Sequence, residues 1–63
     1  MTIYPLIKEN IILENYKGFD ISILASIDET GRVYEHFTIY DHLTGDMMTG
    51  FDTLQKCIEW IKI

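Results

Sequence analysis

The sequence predicts an α+β fold: a three- or four-stranded antiparallel β-meander with one C-terminal α-helix packed on one face. Three observations predict it. Apolar and polar residues alternate over residues 19–28, the period of two that belongs to a half-buried strand. Turns containing Asp and Gly follow that strand and the next one, at 28–31 and 41–45. Leu54, Cys57, Ile58 and Ile61 then recur at i, i+3, i+4 and i+7, which makes one apolar stripe on a helix. A chain of 63 residues is one domain. It divides into an N-terminal arm or edge strand (1–10), an antiparallel sheet (11–50) and a helix (52–62).

Taken in order, the first segment is ambiguous. Ile3, Tyr4, Leu6 and Ile7 are apolar, but Pro5 lacks a backbone donor. The segment reads either as an edge strand or as an irregular arm over the core. Residues 11–14 read as a short strand. Tyr16-Lys17-Gly18 is a turn or bulge, with Gly18 free to take positive φ. In the next strand Phe19, Ile21, Ile23, Ala25 and Ile27 form the core face.

Asp28-Glu29-Thr30-Gly31 has Asp first and Gly where a left-handed residue is needed, the pattern of a three-residue hairpin with a G1 bulge. That turn sets a register. With Asp28 opposite Arg32, Ile27 faces Val33, Ile23 faces Phe37 and Ile21 faces Ile39, so both apolar sets share one face. A four-residue loop would set Ile27 against Arg32 and Ile23 against His36, and is rejected. Glu35, opposite Ala25, is the one charged residue on the core face and is expected beyond the helix end.

The second hairpin strand spans 32–40 and a short third strand 46–50, with Met47 and Met48 on opposite faces. Asp52 is the expected helix cap. Its carboxylate would accept from the N–H of Gln55 while Gln55 reaches back, a D-x-x-Q capping box. Trp60 flanks the apolar stripe. A helix of this length is not stable alone, so it must lie on the sheet.

Composition excludes several function classes. A hydrophobic content of 48% argues against disorder. Cys57 is the single cysteine, so there is no intrachain disulfide, and His36, His42 and Cys57 have no zinc spacing. No cofactor and no metal are expected. A small core without such staples is left with packing and self-association, which favours a homodimer. The formal net charge is −5. Lys8, Lys17, Arg32, Lys56 and Lys62 are scattered, so direct nucleic-acid binding is not expected. Acidity favours solubility first and a basic partner second. No apolar run has the length of a membrane span and no targeting signal is recognisable. With one free thiol the expected location is cytoplasmic, in the host cytoplasm if the chain is phage-encoded.

The candidate chemistry is sparse. His36 and His42 are separated by a bend, with no nucleophile placed beside them, and read as surface histidines. Cys57 lies on the apolar stripe and reads as a small core residue, since a reactive thiol needs exposure and positive surroundings. Asp28, Glu29, Asp41 and Asp46 read as turn residues, too few for a calcium loop. The chain is not expected to be an enzyme. A minimal enzyme or nucleotide binder would need a ligand-sized pocket lined by His36 or His42.

One face stands out. The register pairs Ser26 with Tyr34, Leu24 with His36, Ser22 with Thr38 and Asp20 with Tyr40. Leu24, Tyr34, His36 and Tyr40 therefore gather on the sheet face away from the helix. An antiparallel sheet can leave one face to water, and Tyr and His combine apolar area with a polar tip, as interface residues do. This is the candidate partner-binding site. Stacking on bases is disfavoured because the surrounding cations are missing.

Gly50, Asp52, Thr53, Leu54 and Ile58 also form a G-F-D-T-L-x-x-C-I run at the strand-to-helix junction. With the strands before it, this resembles the β-β-β-α unit of HicB-type antitoxins, and similar small uncharacterised phage and bacterial proteins, over roughly residues 19–63. Phe51 is inserted relative to that pattern, and Cys57 takes a position usually held by Ala. The P-D-L-P-G-C stretch of the family is replaced by Tyr40-Asp41-His42-Leu43-Thr44-Gly45. The resemblance implies a protein-binding half without the family's DNA-binding module, and a small basic ribonuclease as its target. The leading functional expectation is broader: a small, non-catalytic, dimeric protein-binding module that blocks or sequesters a larger protein, as inhibitors from phages or mobile elements do. The HicB-like antitoxin half is the alternative.

Overall fold

A computed structural model describes residues 3–62, and the side chains of residues 9–62. Met1, Thr2 and Ile63, at the ends of the expected single domain, lie outside the described residues. The chain runs β1 (Ile3–Tyr16), β2 (Phe19–Asp28), β3 (Val33–Asp41), β4 (Met47–Phe51) and α1 (Leu54–Lys62). The strands form one four-stranded antiparallel sheet in the order β1-β2-β3-β4, and α1 packs on the β3 and β4 side of one face. The fold is therefore the α+β meander and helix that the sequence predicts, with four strands.

β1 replaces two expected elements. From Ile3 onward the N-terminal segment and the short strand at 11–14 are one continuous edge strand. Pro5 fits there, since strand prolines are confined to edges and bulges. β1 carries 14 residues beside the 10 of β2, and the surplus is taken up at four register shifts. Each shift leaves a residue unpaired and breaks the alternation of faces. Ile11 pairs with Ser22 and Leu13 with Ile21, so residues two apart in β1 meet adjacent partners. A period of two could not be read through such a strand.

The hairpins follow from their turn residues. Lys17 at φ 53° and Gly18 at φ 91° make a two-residue turn of type I′, whose twist matches that of the strands it joins. At the second turn Gly31 N donates to Asp28 O at 3.1 Å, and Asp28 N donates to Arg32 O at 3.0 Å. Gly31 has φ +89°, the left-handed position of the expected G1 bulge. The β2–β3 register is the predicted one throughout, from Phe19 opposite Asp41 to Ile27 opposite Val33. Glu35 pairs with Ala25 and is exposed, as expected.

β4 begins one residue later than expected. Thr49 pairs with Ile39 and Met47 with Tyr40, which leaves Met48 as an unpaired bulge residue. Met47 and Met48 are thus not a simple alternating pair, and both are exposed.

The helix cap also needs correction. Lys56 N donates to Thr53 Oγ1 at 3.2 Å, and Cys57 N to Thr53 O at 3.4 Å. Thr53, not Asp52, is the cap, and α1 starts at Leu54. Asp52 instead pairs with Lys56 Nζ at 3.0 Å, and Gln55 Nε2 donates to Glu59 Oε1 at 3.4 Å. Both residue types accept from a free helix N–H, and Asp52 and Thr53 are consecutive, so pattern alone does not separate them. Thr53→Ala should cost about 1 kcal/mol. Asp52→Ala should cost less, and its effect should vanish in high salt because the pair is exposed. Urea denaturation of both variants at low and high ionic strength checks this.

The core is small. Ile21, Phe37 and Ile39 from the sheet meet Cys57 and Ile61 from α1, with Leu13, Tyr16, Phe19, Ile23, Phe51, Leu54 and Trp60 around them. Trp60 and Phe19 meet edge to face, with centroids 5.6 Å apart and planes at 78°. Cys57 is fully buried, and burial pushes its thiol pKa up, which suits a packing residue and not a nucleophile. No helix among the described residues is long and apolar enough to cross a membrane.

Candidate functional site on the open sheet face

The alternation that sends Ile21, Ile23 and Ala25 toward the core sends their neighbours to the other face. There Asp20 pairs with Tyr40, Ser22 with Thr38, Leu24 with His36 and Ser26 with Tyr34. All four candidate residues thus share the face that α1 leaves uncovered. Leu24 is 44% exposed and Tyr34 38% exposed. His36 is exposed and Tyr40 half-buried. Ile11, opposite Ser22 on β1, continues the apolar surface.

The four side chains do not form one cluster. Tyr34 OH donates to Asp28 Oδ2 at 2.9 Å, and the Arg32 guanidinium lies 5.3 Å from the Tyr34 ring centre. Tyr34 is thereby held at the β2–β3 turn. Tyr40 OH donates to Glu9 Oε2 at 2.7 Å. Glu9 is on β1 and Tyr40 on β3, so the Tyr40 side chain spans β2. His36 leans the other way, over β4: a side chain added at Gly50 would put its Cβ 2.6 Å from His36 Nε2. The glycine of the G-F-D-T-L run therefore makes room for the His36 ring. Leu24 is left between these side chains with no polar partner to bind.

Both tyrosines keep their protons. The hydrogen bond to Asp28 and then burial raise the Tyr34 pKa. The hydrogen bond to Glu9 and then burial do the same for Tyr40. What they can still offer a partner is a ring surface and a hydroxyl lone pair.

A second set of contacts lies at the opposite end of the sheet from Tyr34. Asp20 Oδ1 accepts from Asn15 N at 2.7 Å and meets His42 Nδ1 at 2.8 Å. The Asn15 N–H and, after an opposing effect of burial, the His42 ring hold the Asp20 carboxyl below its usual pKa. His42 N also donates to Gly18 O at 3.0 Å. His42 therefore joins the β1–β2 and β3–β4 turns, while its side chain remains partly exposed.

Beside Tyr40 lies a cleft of about 370 Å³ lined by Glu9, Asn10, Ile11, Asp20, Ser22, Tyr40 and Gly45. Ser22 is 1% exposed, and its Oγ has no hydrogen-bond partner among the described residues. Neither His36 nor His42 lines this cleft. A shallower groove of about 240 Å³ lies on the helix side, between Phe51, Lys56, Glu59 and Trp60. Among the described residues no group of three or more His, Cys, Asp and Glu is placed to hold a metal ion.

Asp20, Ser22 and Tyr40 could be placed on one face from the register. Glu9 could not, because the bulges of β1 hide which way it points. Comparison with protein-family models, with curated proteins and with solved structures finds no match for this chain.

Proposed function

We propose that this chain is a small, non-catalytic, dimeric protein-binding module that uses its open sheet face to block or sequester a larger protein, in the manner of phage or mobile-element inhibitors. One observation carries the reading. Leu24 and Tyr34 stand exposed on a face that the protein's only described helix does not cover. Exposed apolar area ringed by polar groups is the usual composition of a docking surface. The proposed setting is a cytoplasm (that of the host, for a phage-encoded chain), consistent with a single unoxidised, buried thiol.

The test is capture of partners from an extract of the native host. Leu24→Asp and His36→Ala are the informative variants, because neither side chain holds the fold together, whereas the tyrosine hydroxyls bond to Asp28 and Glu9. Both should lose the captured protein while keeping the wild-type circular dichroism spectrum at the assay temperature. Equal recovery by wild type and Leu24→Asp would clear the face of this role. Light scattering on the purified chain tests the dimer, and a strict monomer at high concentration removes that part of the proposal.

The alternative, a HicB-like antitoxin half acting on a small basic ribonuclease, draws support from charge. Asp20 lies on this face, Glu9 reaches it through Tyr40, and the formal net charge is −5. A neighbouring reading frame for a small basic protein is its requirement. Without one the alternative fails.

A further inference from the structure

The cleft beside Tyr40 sets four oxygen acceptors into a largely apolar wall. Glu9 gives Oε2 to Tyr40, which leaves Oε1. Asp20 gives Oδ1 to Asn15 and His42, and its Oδ2 has no partner among the described residues. Tyr40 points its proton at Glu9 and keeps its oxygen lone pairs. Ser22 Oγ is buried beside the Tyr40 hydroxyl and has no well-formed hydrogen bond among the described residues. A buried hydroxyl without a partner is a cost the fold tolerates only where something else supplies the bond. The acceptors come from β1, β2 and β3, so they converge on one space. Among the described residues, no lysine or arginine lines that space.

An ammonium offers three donors on a point charge. A guanidinium offers five in a planar fork, is less strongly hydrated, and suits several spread acceptors. We infer that this cleft receives the guanidinium of an arginine side chain presented by the partner protein. The inference rests on the protein-binding reading above and names the partner's chemistry: a basic protein with an exposed arginine, anchored between Glu9, Asp20, Ser22 and Tyr40. Leu24 and Tyr34 would then lie along the apolar part of the same contact.

The probe is N-acetyl-arginine amide, titrated into the full chain and followed by the amide resonances of residues 9–11, 20–22 and 40–45. Saturable shifts confined to those residues are expected. N-acetyl-citrulline amide, nearly the same shape without the charge, should give none. Glu9→Gln keeps the acceptor for Tyr40 but removes the charge, and should weaken binding about tenfold. Ser22→Ala should weaken it in the same direction. Equal shifts with the citrulline probe, no shifts with either, or unchanged affinity in Glu9→Gln would overturn the inference and leave the cleft to water. Binding of free arginine but not of the blocked form would overturn it too, in favour of a small-molecule site. Val33 is exposed at the far end of the sheet and lies outside the cleft, so Val33→Thr should bind the probe as wild type does. A wild-type cleft that ignores the blocked arginine sinks this inference whatever Leu24→Asp does to partner capture, so the two readings fail separately.

Discussion

Replacing Ile39 by alanine should leave most of the chain unfolded at room temperature. Ile39 has no exposed surface, faces Ile21 across the central strand pair, and shares the core with Phe37, Cys57 and Ile61. Truncating a fully buried isoleucine costs about 2–5 kcal/mol. A core of this size supplies on the order of 3–5 kcal/mol in all. The loss and the total are therefore of the same size. Leu43 is equally apolar but 91% exposed in its turn, and Leu43→Ala should change stability by no more than about 0.5 kcal/mol. Urea denaturation by circular dichroism measures both. Cys57 supplies an independent reading. It is buried, with its thiol pKa raised, so a thiol reagent must wait for the fold to open. Labelling should be slow in the wild type and in Leu43→Ala, and fast in Ile39→Ala. Slow labelling and an unshifted midpoint in Ile39→Ala would mean that the inward face of β3 is not the core.

Asp28→Ala should be the most damaging change outside the core. This one carboxylate organises the β2–β3 hairpin. Its Oδ1 accepts from Thr30 N at 2.9 Å, Thr30 Oγ1 at 2.6 Å and Arg32 N at 3.0 Å, and its Oδ2 accepts from Tyr34 OH at 2.9 Å. The Thr30 hydroxyl, with Tyr34 and the Arg32 and Thr30 N–H groups, outweighs the opposing effect of burial and holds the pKa at about 2, against an ordinary value of 3.8. A carboxyl whose folded pKa is depressed stabilises the fold fully above its unfolded value and loses that contribution as pH falls toward the folded one. For Asp28 the window runs from 3.8 down to about 2. At neutral pH the alanine variant should unfold roughly 10 °C below wild type. The gap should close as pH falls through that window, where the wild type loses what the variant already lacks. Asp20 and Asp52 are also held below their ordinary pKa, so the difference between the two proteins is the quantity to follow. Melting curves that stay parallel from neutral pH to about 2 would show that Asp28 is not the group responsible.

The central hairpin was legible pair by pair. Its alternation is unbroken, and Gly31 permits one turn geometry, so a single register satisfied both strands. From that register the shared face of Leu24, Tyr34, His36 and Tyr40 followed at once. What did not follow was how those side chains are engaged. Tyr40 and Glu9 are 31 residues apart, and Asp20 and His42 are 22 apart. Neither spacing carries a periodic signal. The contact of Tyr40 with Glu9 also depends on β1, whose surplus residues erase the period that would have oriented Glu9. The helix stripe is legible in the sequence and its cap is not, because Asp52 and Thr53 are neighbours that can both cap and the apolar stripe is compatible with either. The cleft escaped for a related reason: Ser22 reads as an ordinary outward serine until the Tyr40 side chain is known to cross above its strand.

The irregular spacing of β1 has a consequence for how this molecule meets its own copies. Two rulers with different graduations cannot be aligned along their length, and a regular strand laid beside β1 would fall out of step with it in the same way. Its outward N–H and C=O groups make a poor template for lateral growth. β4, the opposite border, is only five residues long. Strand-by-strand growth therefore finds little purchase on either border.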